Sequence, residues 1–337
     1  MLQNMLDPAI LFFVFGIFAG AIRSNLEIPE AIAKFLSLYL LMALGLKGGF
    51  ALAQSGVTAD IALCLLAAVA MAIVVPLLAF GGLSRFTDGF NAAALAASYG
   101  SVSAVTFLTA MQYLEQKSLQ FGGHMAVAMV LMESPAIVLA MLFSNQVRKH
   151  PQALRLATNN PSAAGLSHAA QSPSIGSIFH ESFTNGAHLL LLGAMLVGLV
   201  SGEEGKAVMQ PFSGDLFKGM LSFFLLDMGL VVARSFRGAL SASPALLAYA
   251  IVAPFVHAAL ALGLSMLLGL ALADAVLLMV LSASASYIVV PAVLRYAIPE
   301  ANPALYLGLS LGITFPLNIL FGIPLYTFAA KAAYSIA

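Results

Sequence analysis

Long apolar stretches alternate with short polar segments from residue 8 to residue 330. A helix that crosses a bilayer needs about 20 mainly apolar residues. Ten stretches reach or approach this length, and we predict that each is a transmembrane helix. The predicted helices are Pro8–Ala21, Pro29–Phe50, Ile61–Leu83, Phe90–Leu114, Gly123–Phe143, Gly186–Val200, Phe212–Ala233, Ser243–Leu268, Leu272–Ala297 and Pro303–Ala330.

One long polar segment separates the first five predicted helices from the last five. Residues 145–185 are rich in Ser, Asn, Pro, Ala and His, a composition that is typical of a linker. The pattern therefore predicts a first five-helix unit at residues 1–144, a linker at 145–185 and a second five-helix unit at 186–337.

The composition agrees with this pattern. The 337 residues are 61% hydrophobic and only 8% charged, with a formal net charge of zero. A soluble domain carries roughly a quarter of charged residues, and a nucleic-acid-binding protein needs a basic surface. A soluble enzyme and a nucleic-acid binder are therefore excluded. The fold class that remains is an all-α polytopic membrane protein.

Arginine is concentrated on one side of the predicted membrane. The arginines that share this side are Arg23, Arg85, Arg148, Arg155, Arg234, Arg237 and Arg295. Because cytoplasmic loops carry the excess of positive charge, we expect this side to be cytoplasmic. The linker is then inside, and both termini are outside.

The two five-helix units resemble each other in sequence. Ser37–Met42 matches Ser222–Asp227, and Asn91–Tyr113 matches Asp274–Tyr296, with an offset near 180 residues. Because each unit has an odd number of helices, the second would insert upside down relative to the first. Such inverted repeats are typical of secondary transporters.

The fourth and ninth predicted helices have unusual centres, at Ser98–Ser103 and Ser282–Tyr287. Glycine and serine weaken a helix, and at membrane depth the freed backbone groups need new partners. Free N–H groups suit an anion, whereas free carbonyls and hydroxyls suit Na⁺. Close packing of small residues is the alternative explanation. The predicted substrate-binding residues are Gly100, Ser101, Val102, Ser103, Ala283, Ser284, Ala285 and Ser286.

Polar residues near these centres are candidates for binding the coupling ion. Glu133 and Asp227 lie near the middle of apolar helices, where an ionisable group is costly and often functional. The predicted sodium-binding residues are Ser98, Ser282, Glu133, Thr314 and Asn318. We interpret Asp227 as a possible coupling residue, with a structural role as the alternative. Asn91 and Asp274 open the two broken helices, and we interpret them as helix caps.

Enzymatic motifs are missing from the sequence. It has no His-Glu-x-x-His motif and no Gly-rich ATP-binding loop, and the histidines at helix ends and in the linker, such as His188, lack metal-ligand spacing. We therefore expect no enzymatic activity, no organic cofactor and no transition metal. Transport would have to be driven by an ion gradient.

Several motifs also resemble one known family. In the second half they are Leu281–Pro303, Gly312–Asn318 and Gly322–Tyr326; in the first half they are Ile28–Glu30, Gly45–Gly49, Gly100–Thr106 and Met132–Ile137. Together they resemble the sodium-dependent bicarbonate transporters of the cyanobacterial SbtA type. The resemblance covers nearly the whole membrane part.

The resemblance implies a fold similar to that of the bile-acid/sodium symporters. In this fold, ten helices form two inverted five-helix repeats, with a core domain that holds crossed broken helices and a gate domain. The resemblance also implies Na⁺-coupled bicarbonate uptake across the inner or plasma membrane, a homotrimer, and a PII-like SbtB-type regulator on the cytoplasmic face. The alternatives are uptake of another small organic anion, a non-transporting membrane receptor or scaffold, and an intramembrane hydrolase.

Overall fold

Helices make up the fold. The computed structural model describes residues 6–56, 58–149, 186–240 and 242–336, and these residues form no β-strand. In chain order the helices are α1 (Pro8–Ala21), α2 (Glu30–Ser55), α3 (Ala59–Leu83), α4 (Gly89–Gly100), α5 (Ala104–Gln116), α6 (His124–Arg148), α7 (Gly186–Met209), α8 (Phe217–Ala239), α9 (Pro244–Leu267), α10 (Leu272–Ala283), α11 (Val289–Ala297) and α12 (Pro303–Ile336). Helix α6 continues past the predicted boundary at residue 144. Most of the predicted linker, residues 150–185, lies outside the described residues.

Many of these helices are long and apolar enough to cross a membrane. Among the described residues there are seven such stretches, and two shorter apolar helices, α1 and α10, accompany them. A multi-pass membrane protein is therefore confirmed. The longest stretch, Gly186–Phe236, has 51 residues and would extend about 77 Å if it were straight, more than twice the hydrocarbon thickness. The arrangement as ten inverted-repeat helices stays a prediction.

This longest stretch is not straight. Gly202 has φ 55° and ψ −142°, a conformation that residues with a Cβ rarely adopt, and it kinks α7. A π-helical segment, Gln210–Asp215, then separates α7 from α8. The predicted end of the sixth helix, at Val200, lies directly before this kink.

Short polar side chains begin several helices. Asp7 caps α1 by accepting from the Ala9 N–H, and Pro8 occupies the first turn. Ser243 followed by Pro244 begins α9 in the same way. These capping side chains and prolines fix where each helix begins after the chain reverses direction.

The interpretation of Asn91 and Asp274 as helix caps is wrong. Asp88 caps α4, and its carboxylate accepts from the N–H groups of Phe90 and Asn91. Ala271 precedes α10 without a side-chain cap. Asn91 and Asp274 lie inside the first turn of their helices and reach other parts of the chain instead.

Two groups of helices can be distinguished by their packing. Helix α1 packs along α8, and α2 packs along α7; we call these four helices the crossed-pair bundle. Helices α3 to α6 and α9 to α12 form the second group, which we call the central bundle; α8 also packs against the first half of α12 and so connects the two groups.

Small residues let the crossed-pair helices approach closely. A Cβ placed on Gly16 would overlap the Leu226 carbonyl on α8. Likewise, a Cβ on Gly45 would overlap the Leu191 carbonyl on α7. Small residues at a helix crossing are a common way of packing helices in membranes.

Candidate functional site

The two predicted interruptions are confirmed, and they lie against each other in the central bundle. Residues 101–103 separate α4 from α5, and residues 284–288 separate α10 from α11. The Ser286 N–H donates to the Ser98 carbonyl at 2.7 Å, and the Ser103 N–H donates to Ser284 Oγ at 2.9 Å. Each interruption therefore provides hydrogen-bond partners for some of the backbone groups that the other leaves unpaired.

Small residues let the helix ends come together at this point. Gly100 ends α4, and a Cβ on it would lie 2.6 Å from the Pro76 ring of α3. Ala283 at the end of α10 is buried, as are Ser284 and Ala285 in the second break. Gly100, Ala283 and Ala285 therefore contribute to close packing at the crossing, and their role in substrate binding stays a prediction.

Helix α5 begins beside the first break with its N-terminus partly uncapped. Ser103 Oγ accepts from the Thr106 N–H at 3.2 Å, which satisfies the third amide of the helix. The amides of Ala104 and Val105 precede it, and they have no acceptor within their own helix. The positive end of the α5 dipole is thus directed at the region in front of Ser103.

A cavity that is partly open to its surroundings lies in front of this helix end. Both interruptions border it, since Val102 and Ser103 line one part and Ser286 and Tyr287 line another. Ser37 and Leu41 of α2, Met129 and Glu133 of α6, and Ala187 and His188 of α7 complete the wall. The cavity thus lies between the central bundle and the crossed-pair bundle.

One ionisable pair lies in the cavity wall. Glu133 Oε2 is hydrogen-bonded to His188 Nε2, and both side chains are buried. Glu133 belongs to the central bundle and His188 to the crossed-pair bundle, so the pair joins the two. Sequence reasoning missed His188, because a single histidine at the start of an apolar helix carries no ligand spacing. The structure places Glu133 with the substrate candidates Ser103 and Ser286.

Two other sodium candidates lie behind the crossing, on α12. The Thr314 hydroxyl donates to the Ala250 carbonyl at 2.8 Å and contacts the Tyr99 hydroxyl at 2.7 Å. The interior proline Pro254 cannot donate to that Ala250 carbonyl, which leaves it available. Thr314 therefore connects α12 to α9 and to the residue after Ser98.

Asn318 makes the corresponding connection to the second broken helix. Its side-chain amide donates to the Ala283 carbonyl at 2.9 Å, and Tyr326 donates to its carbonyl oxygen at 2.8 Å. Two π-helical turns, Ser310–Thr314 and Asn318–Gly322, occur here, and such turns are frequent at functional sites.

Three serine hydroxyls at the crossing have no partner within the described residues. They are Ser98 Oγ, Ser101 Oγ and Ser282 Oγ, and each side chain is at most 2% exposed. A buried hydroxyl without a hydrogen bond costs on the order of 1–3 kcal/mol. Oxygens of this kind could serve as ligands for a hard cation.

Asp227 is separate from this group. It is buried on α8, next to Met228, whose sulfur is contacted by the Tyr287 hydroxyl at 3.9 Å. It does not line the cavity that holds Glu133. Its interpretation as a coupling residue stays a prediction.

The sequence model of the Na⁺-dependent bicarbonate transporter superfamily matches residues 8–331. The chain belongs to this superfamily. The match includes both helix interruptions and extends through residue 331 of α12, and it confirms the resemblance expected from the motifs. A comparison with curated protein sequences gives no significant match. The name of the superfamily describes transport and favours a role other than catalysis.

Proposed function

We propose that the protein is a secondary transporter that couples the Na⁺ gradient to the uptake of bicarbonate. The observation that carries this proposal is the cavity at the N-terminus of α5, which both helix interruptions border. A single-charge anion fits free amides at a helix end. Membership of the Na⁺-dependent bicarbonate transporter superfamily supports both the anion and the coupling ion.

Reciprocal contacts support the inverted repeat of two five-helix units. Asn91 aligns with Asp274, and each accepts a hydrogen bond from the other unit. The Asn302 N–H donates to Asn91 Oδ1 at 2.7 Å, and the Gly122 N–H donates to Asp274 Oδ1 at 2.7 Å. Contacts of the same kind at aligned positions favour the repeat over random similarity between apolar helices.

The packing of the crossed-pair bundle supports the same repeat. Gly45 aligns with Gly229 in the two units. Gly229 on α8 crosses Gly16 on α1, and Gly45 on α2 crosses Ala194 on α7. The first helix of each unit therefore packs on the second helix of the other unit, which is the reciprocal pairing that a repeat would give.

The proposed Na⁺ site lies at the crossing, on the side of α12. Ser98 and Ser282 supply unpaired hydroxyls, and Thr314 and Asn318 contact the residues that follow them. We place Glu133 at the anion cavity instead, because its partner His188 is there. Sodium at the crossing would fix both broken helices in the geometry that the anion needs.

Alternating access follows from the position of the cavity between two bundles. We propose that the crossed-pair bundle is the gate domain and that the central bundle is the core domain. The cavity is lined by the start of α7, which the positive-inside rule places near the cytoplasm. The conformation described is then open toward the inside.

The test is uptake of radiolabelled bicarbonate into proteoliposomes, with and without an inward Na⁺ gradient. We expect uptake that requires Na⁺ and is not supported by K⁺. Thr314→Val removes one proposed ligand, and we expect it to raise the half-saturating Na⁺ concentration about tenfold or more. Thr327→Val is the matched control, since among the described residues the Thr327 hydroxyl bonds to Ile323 of its own helix.

Uptake that is independent of Na⁺ would contradict the coupling. If tight wild-type vesicles take up no bicarbonate, the substrate is wrong. The homotrimer, the PII-like regulator and the plasma-membrane location stay predictions. Cross-linking and affinity isolation from native membranes would test all three.

A further inference from the structure

Glu133 is a carboxylate in a cavity that we assign to an anion, and this arrangement needs an explanation. Its Oε2 atom is bonded to His188, but its Oε1 atom makes no hydrogen bond with a described residue. We propose that Glu133 selects the substrate by accepting a hydrogen bond from the hydroxyl group of bicarbonate. His188 acts as the positioning residue. This inference rests on the function proposed above.

The two ends of the cavity have opposite preferences. The free amides at the start of α5 donate, and they suit the two oxygens that share the charge of bicarbonate. An ionised carboxylate only accepts, so Glu133 repels those oxygens. Bicarbonate has one further oxygen, which carries a hydrogen. Between these two ends, the anion has a single favourable orientation, with its hydroxyl toward Glu133.

His188 makes this role feasible for a buried carboxylate. The inference requires an ionised Glu133, which only accepts, so that His188 Nε2 donates the bond to Oε2. This bond fixes the rotamer of Glu133 and directs Oε1 away from His188. The other titratable side chain that lines the cavity is Tyr287.

The inference predicts discrimination against anions that lack a hydrogen to donate. Nitrate has the planar shape, the three oxygens and the single charge of bicarbonate, but no hydroxyl. In the wild-type cavity an oxygen of nitrate would face Glu133 Oε1 without a hydrogen between them. Sites built to hydrogen-bond a substrate hydroxyl reject analogues that lack it by large factors.

The experiment measures Na⁺-driven bicarbonate uptake in proteoliposomes and its inhibition by nitrate. For the wild type we expect a nitrate Ki at least about tenfold above the bicarbonate KM. Glu133→Gln offers an N–H donor to nitrate, so we expect the ratio of nitrate Ki to bicarbonate KM to fall at least about tenfold. Glu133→Asp keeps an acceptor, and we expect it to retain rejection of nitrate. Met141→Leu on the same helix, outside the cavity, is the control.

The outcomes separate this inference from the proposed function. Wild-type uptake that needs Na⁺, together with an unchanged ratio in Glu133→Gln, would overturn the role of Glu133 alone. If the wild type takes up no bicarbonate, both the proposed substrate and this inference are wrong. If Glu133→Gln does not fold, the inference is tested on the wild type in detergent, by measuring how bicarbonate and nitrate each change its unfolding temperature. Stabilisation by bicarbonate and not by nitrate supports the inference, and equal stabilisation by both overturns it.

Discussion

The Ser286 N–H donates a 2.7 Å hydrogen bond to the Ser98 carbonyl, and this bond joins the two helix interruptions directly. Ser98 belongs to the first predicted five-helix unit and Ser286 to the second. Because the Ser103 N–H also bonds to Ser284 Oγ, the breaks are connected twice. If one broken helix is displaced, we therefore expect the other to move with it, so that the crossing moves as one rigid body.

The fit of Gly100 against Pro76 gives a first prediction. A Cβ at residue 100 would lie 2.6 Å from the Pro76 ring, so Gly100→Ala should displace the end of α4 from the crossing. We expect a loss of about 1–3 kcal/mol in stability and a loss of uptake. Thermal unfolding in detergent and uptake assays measure these effects. Gly81→Ala on α3 is the control, since nothing lies within 4 Å of its Cβ.

The unpaired hydroxyl of Ser282 gives a second prediction. If Ser282 binds Na⁺, adding Na⁺ should raise the unfolding temperature of the wild type by ligand linkage. Ser282→Ala should reduce this shift, and it should leave the Na⁺-free protein as stable as the wild type or more so, because the hydroxyl lacks a partner. Ser265→Ala should keep the full shift, since its hydroxyl bonds to Ala261. An undiminished shift in Ser282→Ala would argue against the site.

The reciprocal contacts of Asn91 and Asp274 give a third prediction. Each side chain accepts from the backbone of the other unit, so Asn91→Ala and Asp274→Ala should each destabilise the protein by about 1–3 kcal/mol. Asp274→Asn keeps an acceptor for Gly122 and should recover part of the loss. The unfolding temperature in detergent is the measurement, with the exposed Glu204→Gln as the control. Unchanged stability in both alanine variants would show that these two hydrogen bonds do not stabilise the contact between the units.

An ion pair at the opposite end of α5 gives a fourth prediction. Lys47 Nζ on α2 lies 3.0 Å from Glu115 Oε1 on α5, so the pair joins the crossed-pair bundle to the central bundle. Gln116 makes a second connection, to Asp7 at 2.6 Å. Alternating access requires these contacts to separate. A bifunctional thiol reagent across Lys47→Cys and Glu115→Cys should therefore stop uptake.

The background for that experiment is simple, because Cys64 is the one cysteine of the chain and it is buried. Each single cysteine variant treated with the same reagent is the control, and reduction of a cleavable cross-link should restore uptake. Full uptake by the cross-linked double variant would rule out relative movement of the two bundles at this end.

The helix interruptions could be predicted because their cause is local. Gly100, Ser101 and Ser103 weaken a helix through their own backbone and side-chain chemistry, so the pattern is visible in a short window. The kink at Gly202 is harder to predict from the sequence, because a glycine adopts a positive φ only where the surrounding structure requires it. The predicted helix nonetheless ends beside it.

Other features depend on partners that are distant in sequence. Nothing near Glu133 indicates that His188 on another helix would meet it. The sequence predicts Asn91 and Asp274 as caps because they open apolar stretches, but Asp88 caps α4 and no side chain caps α10. Their acceptor role depends on Asn302 and Gly122, which only the folded chain brings near.

The crossed packing of the first two helices of each unit has a consequence for biosynthesis. Helices α1 and α2 leave the ribosome long before α8 and α7, their packing partners. Until those helices are inserted, the small-residue faces at Gly16 and Gly45 lie against lipid. The nascent first unit is therefore an incomplete assembly that must stay in the bilayer without its partners. Mutations at these glycines should act on yield during translation as well as on the finished protein.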